Sequence, residues 1–260
     1  MAILASRTKT GISWVGESIA LFKQAPRKWL LLALTYLGIF VFIPSFPGMQ
    51  IFAFITILIW PIFIAIAIRL YRNTEFQKED NLSAVMQLIQ PKMRKLVMLG
   101  FVNLAYFIIV SLLLSSDMQV LTDIMNKEAE MSEQEVMLAM QTMMPIFIKL
   151  IVFFIPLVMA VWFAPMLIAF NDYAVTKALK SSIAGSLQYV VAMTAAWLLL
   201  TSGIMLLMLA ASIFSGLFAF VSLAFAQSLM TILVFGALLI SVALTLAFQY
   251  VSYRDIFRAA

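Results

Sequence analysis

Long apolar runs alternate with short charge-bearing segments along this chain, and the runs have the length of bilayer crossings. A helix needs about 20 predominantly apolar residues to cross about 30 Å of hydrocarbon. Residues 29–47, 49–68, 96–115, 144–170, 189–213 and 217–248 meet that requirement, and 189–248 hold no Asp, Glu, Lys or Arg at all. The pattern predicts an all-α fold, a polytopic transmembrane helical bundle of about six spans in three hairpins. Residues 1–260 form a single integral membrane domain.

Breakers punctuate the runs. Pro44, Pro47 and Gly48 mark a first tight hairpin turn, and Ser215 with Gly216 mark the last. Pro61, Pro156 and Pro165 fall inside spans, where the missing N–H predicts kinks supported by neighbouring helices. The segment 116–143 is the one sizeable external loop, acidic except for Lys127. Ser132 and Glu135 have capping-box spacing there, and Val136, Met137, Met140 and Met144 recur at helical intervals, so a short amphipathic helix is expected. Its Met-rich face is a candidate partner surface, the alternative being that it covers spans three and four.

Three stretches share a shape. Residues 20–29 run to Pro26 and Trp29, residues 85–95 to Pro91, and residues 178–189 to Gly185 and Tyr189. Each reads as an amphipathic interfacial elbow that reaches a breaker and turns into a hairpin, with Trp29 and Tyr189 at headgroup depth. A threefold elbow-plus-hairpin repeat is one reading; ordinary juxtamembrane amphipathicity is the other.

Charge fixes an orientation. All 17 Lys and Arg except Lys127 and Lys149 lie in 1–28, 69–95, 171–188 and 249–260. The positive-inside rule then predicts both termini in the cytoplasm, for a chain expected in a bacterial inner membrane. Residues 1–28 form a cytoplasmic amphipathic approach segment without an uninterrupted apolar region, so a cleaved leader is not expected. Lys23, Arg27, Lys28, Arg69, Arg72, Lys92, Arg94 and Lys95 are candidate contacts to anionic lipid headgroups, the expected partners of this face. The basic residues flank spans instead of forming an aromatic-interleaved patch, so nucleic acid is not an expected partner.

Composition narrows the chemistry. The chain is 64% hydrophobic and 11% charged, with neither Cys nor His, against about 25% charged residues in soluble domains. Thiol nucleophiles, imidazole bases and the commonest zinc ligands are excluded, and no cofactor motif is present. No acid sits within a span, which disfavours proton-coupled transport. Lys149, near the outer end of span four, reads as a snorkelling anchor. Asn171 with Asp172 reads as a helix terminator. Asn103 with Tyr106, Gln227 and Gln249 read as interhelical hydrogen-bonding groups. Gly203, the Ser212–Gly216 pair and the Ala-rich stretches 192–196 and 209–211 suggest close helix approach.

Several blocks carry a family resemblance. They are the segment Trp14 to Trp29 with Phe22 and Pro26, the Glu133–Gln134 helix, Trp162-Phe-Ala-Pro165-Met-Leu, and Ala178-Leu-Lys-Ser-Ser182. On these the chain resembles uncharacterised bacterial six-span inner-membrane proteins, including the YciC-like family and the membrane domain attached to some glycerophosphodiester phosphodiesterases. The resemblance implies a fold and no catalytic residues. A phosphodiesterase barrel of about 200 residues has no room in the short segments between spans.

The expected function is therefore non-enzymatic: envelope or lipid organisation, or scaffolding of a membrane complex. The alternative is a transporter or channel for an apolar or lipid-like solute.

Overall fold

A computed structural model describes residues 2–78, 82–125 and 133–257, and these form helices and turns without a strand. In chain order the helices are α1 (Ala2–Gln24), α2 (Pro26–Leu37), α3 (Ile43–Ser45), α4 (Phe52–Glu75), α5 (Leu82–Ile89), α6 (Met93–Leu113), α7 (Ser115–Met125), α8 (Glu133–Val161), α9 (Ala164–Asn171), α10 (Val175–Gln188), α11 (Val190–Phe218) and α12 (Leu223–Phe257). A π-helical turn, Gly38–Phe42, joins α2 to α3, and a 3-10 turn, Gln90–Lys92, joins α5 to α6.

Six of the resulting stretches are long and apolar enough to cross a membrane: Pro26–Ser45, Phe52–Glu75, Leu82–Leu113, Ala139–Asn171, Val190–Phe218 and Leu223–Phe257. No more than 33% of any span's apolar window is buried inside the protein. The remaining apolar surface is far larger than an aqueous surface tolerates. The chain is a multi-pass membrane protein.

A further helix precedes each hairpin, and each packs on a different hairpin in rotation. Helix α1 packs on α11 and α12, α5 on α4, and α10 on α8 and α9. Between hairpins, α4 packs on α6 and α12 packs on α2, but α8 has no comparable packing against α11. One of the three seams between hairpins is therefore loose.

The core sits at the end of the bundle where the basic residues gather. Trp14, Trp29, Tyr71, Phe163, Phe248, Tyr250 and Tyr253 are its largest fully buried side chains. The opposite half is sparse, with Ile148, Ile151, Phe154, Met205, Leu206 and Phe225 all exposed.

Several expectations are corrected. Trp29 is not an interfacial anchor: it is fully buried, stacks on Tyr71 at 3.7 Å, and donates its indole N–H to Leu21 O at 3.0 Å. Gly185 does not break its helix, which runs on to Gln188; a Cβ there would lie 2.8 Å from Phe257 Cζ. The last turn is not at Ser215–Gly216 but at 219–222, because Ser215 stays helical and donates to Ala226 O at 2.7 Å across the hairpin. Gly48, at φ +82°, does serve the first turn.

Span four also differs. Helix α8 starts at Glu133 and continues through Pro145 and Pro156, so the short helix expected over 132–144 is the first part of the span-four helix and not a separate one. The interruption falls at Trp162–Phe163, and Pro165 occupies the first turn of α9, where its missing N–H has no partner to lose. Ser132 and the side chains of Glu133, Glu135 and Val136 lie outside the described residues. Met137, Met140 and Met144 are 64%, 65% and 60% exposed, so they do not fold back on the protein's own spans. Helix α7 was not anticipated; its Asp117 accepts from Lys149 at 2.9 Å, which turns the expected lone anchor into an ion pair.

Candidate functional site: an aromatic intramembrane cavity

The break in span four exposes backbone groups that hydrocarbon cannot satisfy. Side chains of two other helices satisfy them. Phe163 N donates to Ser182 Oγ at 3.0 Å, and that hydroxyl donates in turn to Met159 O at 2.7 Å. Gln249 Nε2 donates to Trp162 O at 2.6 Å, so its expected interhelical role is present. Ser182 and Gln249 are buried, which fixes the break against α10 and α12.

Trp162, at the break, packs its ring 5.3 Å from Trp197 and 5.7 Å from Phe248. Trp14 extends this cluster, 6.2 Å from Phe248 and 6.1 Å from Tyr189. The rings close off the packed half of the bundle. Beyond them lies a half-enclosed cavity of about 560 Å³, lined by Tyr36, Ile57, Trp60, Asn103, Phe107, Phe154, Leu157, Val158, Val161, Trp162 and Trp197. It occupies the place where α8 fails to pack on α11.

A second cavity of about 460 Å³ shares Phe107, Phe154 and Leu157 with the first and continues between α6 and α8 as far as Met118. Tyr106 donates to Phe153 O at 2.7 Å beside it, tying α6 to α8. Each cavity is of the size that holds small ligands, roughly 300–1,000 Å³.

Among the described residues, no charged one lines either cavity. The polar exceptions include two buried, unpartnered atoms. Asn103 is 5% exposed and its Oδ1 has no hydrogen-bond partner; Trp162 is 8% exposed and its indole N–H has none. The interhelical bond expected of Asn103 is thus not made by this oxygen. A buried polar group without a partner costs about 1–3 kcal/mol, and both residues that carry such an atom lie around one cavity.

The sequence candidates fall elsewhere, at the basic end. Lys23, Arg27 and Arg94 are exposed. Lys28 bonds Thr74 Oγ1 at 2.8 Å and lies 4.4 Å from the Trp29 ring. Lys92 and Lys95 lie 2.5 and 2.8 Å from Asp172 Oδ1. Hydrogen bonds from Lys92 and then Lys95 pull the Asp172 carboxyl down to a pKa of about 2. Asp172, at φ 55°, also closes α9, the terminating role expected of Asn171, whose side chain instead accepts from Tyr253 at 2.6 Å. Arg72 lies 6.0 Å from the Phe76 ring, and Arg69 has a buried Nε without a partner. Gln227 is exposed.

At the same end Arg254 bridges Glu17 at 2.5 Å, Asp255 at 3.0 Å, and Glu75, which also accepts from Tyr250. Trp14 donates to Asp255 at 2.8 Å. These contacts lock α1, α4 and α12 together.

No protein-family model, curated protein or solved structure matches the chain.

Proposed function

We propose that this protein handles lipids without catalysing a reaction, holding a lipid-like apolar solute in the cavity between spans one, two, three, four and five. The observation that carries this reading is the aromatic-lined volume of about 560 Å³ at the loose seam between α8 and α11. Volume of this size with an almost wholly apolar lining is filled by hydrocarbon or collapses inside a membrane protein, since a water there lacks the several polar partners it needs. The unpacked seam supplies a lateral route from the bilayer, and the adjoining cavity gives a chain room to extend. Transfer of that solute between leaflets and its storage are both compatible with this geometry.

In this reading the chain resides in a bacterial inner membrane with both termini inside. Its exposed Lys23, Arg27 and Arg94 meet anionic headgroups, and Met137, Met140 and Met144 meet lipid or a membrane partner. Reporter fusions test the orientation: a fusion after residue 128 should be active only with an external reporter, and activity of a cytoplasmic reporter there would reverse it.

Occupancy is tested by native mass spectrometry of protein released from mild detergent. The unaltered protein should retain one lipid-like molecule, and Val158→Trp, which fills the cavity from α8, should lower the retained fraction at least about tenfold, a loss equivalent to about 1.4 kcal/mol of binding. Equal retention by both proteins would place the bound lipid on the outer surface and overturn the proposal.

A further inference from the structure

The eight basic side chains expected at headgroups sort into three kinds. Lys23, Arg27 and Arg94 are exposed, and Lys28, Lys92 and Lys95 have protein partners. Arg69 and Arg72 are different. Both are half-buried, and among the described residues neither side chain has a hydrogen bond or an ion pair. Only Arg69 Nε is closed off, and the terminal nitrogens of both guanidiniums are open. The two stand three residues apart on one face of α4. We infer that Arg69 and Arg72 form a phosphate site, whose ligand is the phosphate of an anionic phospholipid in the leaflet at the basic end. The site goes beyond the lipid-handling reading, since neither arginine lines the cavity.

Charge is the first argument. Two cations at this spacing repel each other, and half-burying them raises the cost of an absent counter-charge. The carboxylates nearby are engaged elsewhere: Glu75, one turn beyond Arg72, faces Arg254 and Tyr250, and Asp172 faces Lys92 and Lys95. Glu79 and Asp80 lie outside the described residues. Placement is the second. Arg72 lies 6.0 Å from the Phe76 ring and within electrostatic reach of the Tyr250 and Tyr253 hydroxyls, so it is held against the bundle where a snorkelling side chain would reach into water. Helix rise puts Arg72 about 4.5 Å and Arg69 about 9 Å inside the end of α4 at Glu75. Lipid phosphates lie at that boundary of hydrocarbon and headgroup, whereas a free ion would have to enter it. Shape is the third. A guanidinium fork pairs with two oxygens of an anion. One fork saturates a carboxylate, while two forks suit the oxygens of a tetrahedral phosphate.

The test is isothermal titration calorimetry of the full-length protein, delipidated in uncharged detergent, with short-chain phosphatidylglycerol, short-chain phosphatidylcholine and inorganic phosphate. Phosphatidylglycerol should bind at least about tenfold more tightly than phosphatidylcholine, whose ammonium offsets the phosphate charge. Binding common to both lipids reports the cavity or the outer surface. Arg69→Gln with Arg72→Gln should abolish the preference, and Arg69→Lys with Arg72→Lys, which keeps the charge without the forks, should lose most of it. Lys9→Gln with Lys180→Gln removes two exposed lysines from the same end and should keep it. An equal loss in that control would assign the preference to the basic surface at large and overturn the site. Without lipid, the glutamine pair should melt no lower than the parent, since it removes a repulsion; a lower melting temperature would make the arginines structural and overturn the inference. Inorganic phosphate should neither bind nor compete at concentrations where the lipid saturates. Were it to bind as tightly as phosphatidylglycerol, the ligand would be soluble phosphate and the lipid assignment would be overturned. No preference between the two lipids would overturn the phosphate site and leave the cavity reading standing.

Discussion

Replacing Gly100 with alanine is expected to force α4 and α6 apart, and replacing Gly11 with alanine to do the same to α1 and α11. A Cβ at Gly100 would lie 2.5 Å from Leu58 O and 2.7 Å from Leu58 Cα; at Gly11 it would lie 2.2 Å from Ala192 O. The obstructing atoms are backbone, so no rotamer change relieves the clash. Overpacking of this kind costs about 1–3 kcal/mol or more, and each variant should melt about 5–10 °C below the parent. Gly203→Ala and Gly216→Ala are the controls. Both positions have open space around the added carbon and alanine favours the helix, so their melting temperatures should not fall. A Gly100→Ala protein as stable as the parent would mean the α4–α6 contact is not as close as described.

The second large effect is expected at Arg254. Its guanidinium faces Glu17, Glu75 and Asp255 from three helices and is 22% exposed. Arg254→Met leaves three carboxylates crowded without a counter-charge, a loss of about 3 kcal/mol for a partly buried network. Thermal unfolding in detergent should register it. Arg254→Lys should recover only part, since an ammonium cannot span the fork of carboxylates that a guanidinium does. Adding Glu75→Gln to Arg254→Met should restore stability by relieving repulsion. If it lowered stability further instead, Glu75 would owe its role to Tyr250 and not to Arg254.

The six spans were legible because hydrocarbon imposes their length and composition on each segment separately. Gln249 was legible as a cross-helix group for the same reason, a polar side chain in an apolar run having to find a partner. What the sequence concealed depends on tertiary placement. Trp29 and Tyr189 look alike as aromatic residues ending an amphipathic segment, yet only the fold distinguishes stacking on Tyr71 from a place beside Trp14. Gly203 and Gly216 advertise close packing but face open space, whereas Gly11 and Gly100, in unremarkable surroundings, touch a neighbouring backbone. The turn at 219–222 hides in apolar sequence, where no Pro or Gly announces it.

The cavity was the least legible feature. It arises from packing that α8 does not make with α11, and its lining comes from α2, α4, α6, α8, α11 and the break at Trp162. Asn103 was visible as a polar position, but its lack of a partner became apparent only with its neighbours in place. Trp162 and Ser182 did stand out, within the segments Trp162–Leu167 and Ala178–Ser182. The structure gives both a physical role, since Ser182 holds the break in span four and Trp162 forms the floor of the cavity.

The central claim, that a lipid-like solute occupies this cavity, is tested most directly by electron cryomicroscopy of the protein in native lipid discs with a bound antibody fragment as fiducial. The account predicts elongated density between Trp60, Asn103 and Trp162, continuing between α6 and α8. A map with α8 packed directly against α11 and no space between them would contradict it.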